Sequence, residues 1–219
     1  MAEELKEQER VRREKLAKLE AVNVLPFGEK FNRTDNSKTV KEKAEGKTRE
    51  ELEANPISVV VAGRIMFIRR MGKASFFALQ DREGKIQAFI QKDVVGEATY
   101  DLFKLADLGD IVGIEGHIMI TQTGEVTIRV QVYTHLVKAL RPLPEKFHGL
   151  TDVEERYRRR YVDLIMNEDS KRIALTRPKI IRAIQNYMDN SGFIEVETGV
   201  LSPILGGASA RPFVTHHNA

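Results

Sequence analysis

Cysteine is absent from all 219 residues, which excludes disulfides and thiolate metal sites and makes a reducing cytosol the simple expectation. Long apolar runs are absent too. No uninterrupted stretch approaches the roughly 20 residues of a membrane span, and the N-terminus MAEELKEQERVRREKL is charged where a signal peptide would be apolar. A cytoplasmic protein without membrane contact is expected. A strong charge excess is likewise missing: 35 Lys and Arg stand against 32 Asp and Glu, a formal +3. Any contact with nucleic acid must therefore rest on local clusters of charge. No internal repeat and no low-complexity tract is found. What is present is a globular composition, 42% apolar and 31% charged, with room for one domain or two small ones.

Residues 3–20 balance six acids against six bases, with Leu5, Leu16 and Leu19 as sparse apolar points. Pairs such as Glu14 and Lys18 at i,i+4 support an exposed helix. It could touch RNA or a partner, but a segment of zero net charge is a poor phosphate binder, and a solvated helix with a narrow docking stripe fits better. VLPFG ends it, and two short helices are expected near 38–45 and 48–53. The period then switches from helical to alternating. ISVVVAGRIMFIRR, ASFFALQ and KIQAFIQ read as strands, the last two joined by the turn DREG. EATYDLFKLADL reads as a helix. DIVGIEGHIMI and EVTIRVQVYTHLV follow as two more strands around TQTGE. Three strands, a helix and two strands make the plan of an OB-fold, a small Greek-key barrel.

RPLPEKFHG (141–149) reads as a proline-punctuated linker. The stretch from Arg141 to Arg182 is basic, with eleven Lys and Arg against seven acids, and is helical from 151. Its last helix, near 170–190, aligns Ile173, Ile180, Ile184 and Tyr187 or Met188 on one face. NSGF supplies a glycine cap, and FIEVETGVLSP reads as a strand. The predicted organisation is an α+β, mainly β chain. A helical extension (1–55) leads into a five-stranded OB barrel (56–140), then a hinge (141–170), then the opening helix and strand of a further domain (171–219).

Chemistry concentrates in two places. The loop RRMGKAS carries Arg69, Arg70 and Lys73 with no acid nearby, and Arg64 lies on the strand before it. Phe76 and Phe77 follow at once. Neighbouring strand residues point to opposite faces, so one enters the barrel and the other can lie outside. An exposed aromatic beside arginines suits stacking of a single-stranded base. Gln87 on the third strand offers a donor and an acceptor for a base edge. The same residues also fit plain core and surface roles, and OB-folds take sugars and proteins as well. The second place is GGASARPFVTHHNA. His216 and His217 are adjacent, would point apart on a strand, and lack an HExxH pattern, which disfavours a shared metal. GGASAR lacks the spacing of a phosphate-binding P-loop.

Taken together, GKASFFALQDREGKIQ, ALRPLPEKFHGLTDVEERYRRRYVDLI, GFIEVET and GGASARPFVTHHNA closely resemble bacterial lysyl-tRNA synthetases. These are class II enzymes of the aspartyl/asparaginyl/lysyl subgroup, and the resemblance covers almost the whole chain. It implies that the OB-fold binds the tRNA anticodon. The central uridine would be held by Phe76, Gln87 and Arg69, with Arg70 the alternative one position on, and Arg64 and Lys73 would lie nearby. Residues 171–203 resemble motif 1, the helix and strand of the class II homodimer interface, placing Ile180, Ile184, Phe193, Glu195 and Glu197 there. The family carries proline after Glu-Thr, where this chain has Gly199, which loosens the segment.

The resemblance also sets the GGA loop, Gly206, Gly207 and Ala208 with Arg211 beyond it, against the lysine pocket. Motifs 2 and 3, which hold ATP, Mg²⁺ and the lysine ammonium in the family, are not in this sequence. The chain is therefore expected to be a truncated lysine–tRNA ligase that has no catalytic residues, binds no cofactor or metal, and is inactive by itself. The alternative is a non-catalytic OB-fold RNA-binding module or regulator.

Overall fold

From Ser58 onward the chain is rich in β-branched and aromatic residues, and burial largely alternates along each strand it forms, so the inner faces are buried together. In the computed structural model, which describes residues 7–25, 27–28, 30–144, 150–199 and 215–216, these strands are β1 (Ser58–Met71), β2 (Ala74–Gln80), β3 (Lys85–Gln91), β4 (Ile111–Ile120) and β5 (Val126–Val137). They close into a barrel in the order β1-β2-β3-β5-β4. β3 and β5 run parallel, and the other neighbours are antiparallel. Closure leaves no unpaired sheet edge. This is the barrel expected from the strand order.

Val61, Ile65, Phe77, Leu79, Ile90, Ile114, Ile128 and Val130 fill its interior. The crossover between β3 and β4 holds α4 (Lys92–Val95), too short to be legible in the sequence, and α5 (Glu97–Lys104). α5 plugs the barrel with Tyr100 and Phe103. Phe103 meets Tyr133 edge-on at 5.5 Å, and the Tyr100 hydroxyl donates to the Gly72 carbonyl at 2.9 Å. At Gly116, beside a bulge where β4 crosses β5, an added Cβ would fall 2.0 Å from the Arg129 carbonyl oxygen. Only glycine admits that approach.

Three helices precede the barrel: α1 (Glu7–Ala21), α2 (Ser37–Ala44) and α3 (Arg49–Ala54). α2 and α3 each begin with a capping box, Asn36 with Thr39 and Thr48 with Glu51. α1 docks through Leu19, but also through two residues that read as solvated. The Arg12 guanidinium donates to the carbonyls of Ala139 at 2.7 Å and Leu108 at 3.0 Å, and Lys15 meets Asp107 at 2.5 Å.

The chain divides into two compact units, residues 1–145 and 146–219. In the second unit, α6 (Val153–Arg158) and α7 (Arg160–Met166) lead into the long α8 (Glu168–Asn190). Asp163, itself buried, ties α6 to α7 by accepting from Arg156 at 2.9 Å and Arg160 at 2.7 Å, and Arg156 reaches α8 by donating to the Ser170 hydroxyl at 3.0 Å. α8 ends as NSGF foretold. Gly192 takes φ +85°, its N–H reaches the Asp189 carbonyl, and the Phe193 N–H reaches that of Met188. This is the Schellman arrangement. The strand expected from Phe193 does not form: residues 193–199 carry no regular structure. A strand is held by hydrogen bonds to a neighbour, and no described segment of this unit is a strand.

Candidate nucleic-acid interface

The candidate interface is the outer face of β1, β2 and β3, and a bulge in β1 creates it. Ile65 pairs with Leu79, but the next pair is Phe67 with Ala78, so Met66 is an extra residue. One extra residue inverts the alternation for everything after it. Phe67 and Arg69 thereby turn outward with Phe76, Ala78, Gln87 and Phe89, while Phe77, Leu79, Ile86 and Ala88 stay inside.

Two rows of side chains cross the face. In the first, Arg69 stands opposite Phe76, and Phe76 opposite Phe89. The two phenylalanine rings are stacked, centroids 4.5 Å apart and planes inclined by 30°. In the second, Phe67 stands opposite Ala78, and Ala78 opposite Gln87. These residues floor a groove of about 710 Å³. Its rim carries Lys41 from α2, Arg49 from α3, Lys85, and the β4–β5 turn from Thr121 to Glu125. Four cations thus border an aromatic floor, against Glu125 in the lining and Glu53, which pairs with Arg49 at 2.9 Å just outside it; the balance favours a polyanion carrying planar bases.

The position of Lys41 is set by an anchor at the start of its helix. Asp81, at the β2–β3 turn, accepts from the Ser37 N–H and the Ser37 hydroxyl, both at 2.6 Å, and from the N–H groups of Glu83 and Gly84. Burial would push the Asp81 carboxyl up, but these hydrogen bonds outweigh it and hold its pKa below the ordinary value.

Of the residues singled out in the sequence, Arg69, Phe76 and Gln87 line the groove. Arg64 does not. Its guanidinium donates to the Gly109 carbonyl at 2.7 Å, and burial lowers its pKa. Arg70 is turned to the carbonyls of Lys104, at 3.3 Å, and Ala106, at 2.9 Å. Lys73 sits exposed at the hairpin tip and is not among the groove residues. Phe89 could have been found, because it lies two residues beyond Gln87 on one strand and must share its face. Phe67 was hidden by the bulge.

In the second unit, Ile180, Ile184, Tyr187, Met188 and Phe193 are exposed, as are Glu197 and Gly199. Glu195 accepts from the Gln185 amide at 3.0 Å. Gly206, Gly207, Ala208, Arg211 and His217 lie outside the described residues, and His216 is exposed. Among the described residues no group of three or more His, Cys, Asp or Glu could hold a metal ion, and no helix is long and apolar enough to cross a membrane.

Comparison with known proteins agrees with the OB barrel. Residues 59–136 match the OB-fold nucleic acid binding domain of the tRNA anticodon type, and residues 152–219 match the class II tRNA synthetases (D, K and N). The chain is 55% identical over 217 residues to the lysine–tRNA ligase of Lysinibacillus sphaericus (strain C3-41), covering 99% of this chain and 43% of that protein. It is 56% identical to that of Lactococcus lactis subsp. cremoris (strain SK11) and 55% to that of Streptococcus sanguinis (strain SK36), each over 99% of this chain and 44% of the relative. The chain therefore spans less than half the length of these relatives, and along that span it is similar to lysine–tRNA ligases, with an anticodon-type OB-fold followed by the start of a class II tRNA synthetase domain.

Proposed function

We propose that the barrel reads the anticodon of a lysine-accepting tRNA on behalf of a lysine–tRNA ligase working in the cytoplasm. The observation that carries this is the outward row Arg69–Phe76–Phe89, with Gln87 one row away, in a groove rimmed by cations. In this reading the central uridine of the anticodon stacks on Phe76, which Phe89 backs. Gln87 pairs with the edge of the base, donating and accepting at once. Arg69 takes the flanking phosphate or the uridine carbonyl. Arg64 and Lys73 act only through the positive potential of the region.

The ligase joins lysine to the tRNA 3′ end. Lysine would supply the acyl group for that transfer, and ATP, with Mg²⁺, would activate its carboxylate at the α-phosphorus, with pyrophosphate as the leaving group. Among the described residues no cluster of three or more His, Cys, Asp or Glu could hold that magnesium ion. The expected placement of Gly206, Gly207, Ala208 and Arg211 against lysine belongs to this proposal, as does pairing of α8 with a second copy through Ile180, Ile184 and Met188.

The test is a titration with an anticodon stem-loop bearing uridine at its centre. Tight binding that weakens with salt is expected, together with a clear preference over the same stem-loop with a central guanosine. Equal affinity for the two stem-loops would refute base reading by this groove.

A further inference from the structure

Phe67 has no part in the reading above, yet it is 54% exposed and lies in the floor of the same groove. A lone exposed aromatic is ordinary. What distinguishes this one is its placement. The bulge at Met66 turns Phe67 onto the outer face, diagonal to Phe76 and across the small Ala78 from Gln87. Diagonal neighbours on a sheet lie about 7–8 Å apart, too far for one base to cover both rings and close enough for two bases on one strand. Ala78 between them leaves a recess, where a longer side chain would fill the approach to Gln87.

Resting on the anticodon reading, we propose that Phe67 is a second stacking platform. It takes the base of one nucleotide immediately adjoining the one on Phe76. The occupant is a nucleobase because the surrounding rim is cationic: Lys41, Arg49, Arg69 and Lys85 border the groove and match the phosphates on either side of two successive bases. The groove is thus a two-base reader, with identity sensed at Gln87 and affinity drawn from both rings.

The experiment uses the full chain and the stem-loop with a central uridine. Phe67→Ala should weaken binding about five- to a hundred-fold, the range for losing one base–aromatic stack. Because Phe67 is exposed, its thermal melting should stay unchanged. Phe67→Trp should restore affinity, whereas Phe67→Leu should not. Abasic replacement of one of the two flanking nucleotides should produce the same loss in the unmodified protein and no further loss in Phe67→Ala. Ala78→Leu should weaken binding of both the intact and the abasic stem-loop.

If Phe76→Ala weakens binding but Phe67→Ala does not, the second platform is wrong while the anticodon reading stands. Additive losses for Phe67→Ala and both abasic replacements would also overturn it. If the unmodified chain binds no stem-loop, both ideas fall together.

Discussion

Phe76 and Phe89 stack ring on ring, centroids 4.5 Å apart, on the outside of a barrel whose next residue in the chain, Phe77, has no exposed surface. Two adjacent phenylalanines thus have separable roles. Phe76→Ala should lower stem-loop affinity by about 1–3 kcal/mol and barely move the urea midpoint. Phe77→Ala should cost about 3–5 kcal/mol of stability through the cavity left behind. Paired denaturation and binding curves check this, and the reverse pattern would mean that the faces are exchanged.

Arg69 and Arg70 are also neighbours with opposite duties. Arg69→Ala should weaken binding and make its dependence on log salt shallower by roughly one. Arg70→Ala removes the donor to the Lys104 and Ala106 carbonyls, so it should lower the melting temperature by a few degrees and leave the salt slope alone. Titrations at several ionic strengths distinguish the two.

His135 should make the barrel acid-sensitive in a defined window. Its Nδ1 lies 3.1 Å from the Tyr133 hydroxyl, and its Nε2 lies 3.8 Å from Asp110. Burial lowers its pKa from the ordinary value of 6.5, with Lys138 reinforcing and Asp110 and Asp107 opposing. A depressed histidine pKa means that the unfolded chain takes up the proton first. Stability is therefore full above about pH 6.5 and falls as the pH drops below it. Urea midpoints at pH 7.5 and 5.5 should differ for the unmodified protein and differ less for His135→Gln. An equal drop in both would remove His135 as the cause.

Lys138 is fully buried between Asp110, at 2.7 Å, and Asp107, at 2.6 Å. Lys138→Ala should cost about 3–5 kcal/mol because it strands buried carboxylate charge. Adding Asp110→Asn to that variant should recover part of the loss. Chemical denaturation of the single and double variants measures it, and a doubled loss would show that the pair does not act as a unit.

α8 leaves Ile180, Ile184, Tyr187 and Met188 exposed along one helix. If that face pairs in a dimer, sedimentation should show concentration-dependent association of the chain, and Ile184→Glu should abolish it without reducing helical content. Unchanged association in Ile184→Glu would place the contact elsewhere.

What the amino-acid order determined by itself was everything that depends on near neighbours. The barrel strands and the longer helices follow from periodicity, the split between Phe76 and Phe77 from alternation, and the end of α8 from Gly192. The shared face of Gln87 and Phe89 needed nothing more. Tertiary structure decided the rest, because those outcomes depend on distant partners. The extra residue at Met66 is defined only against Leu79 and Ala78 on the next strand, and it alone sends Phe67 and Arg69 to the groove. Arg64 and Arg70 read as free cations until the carbonyls of Gly109 and Ala106 arrive from the crossover. Arg12 reads as solvated until Ala139, 127 residues on, presents its carbonyl. The segment from Phe193 has the pattern of a strand and forms none within its unit, because alternation prepares a strand and only a hydrogen-bonded neighbour completes it.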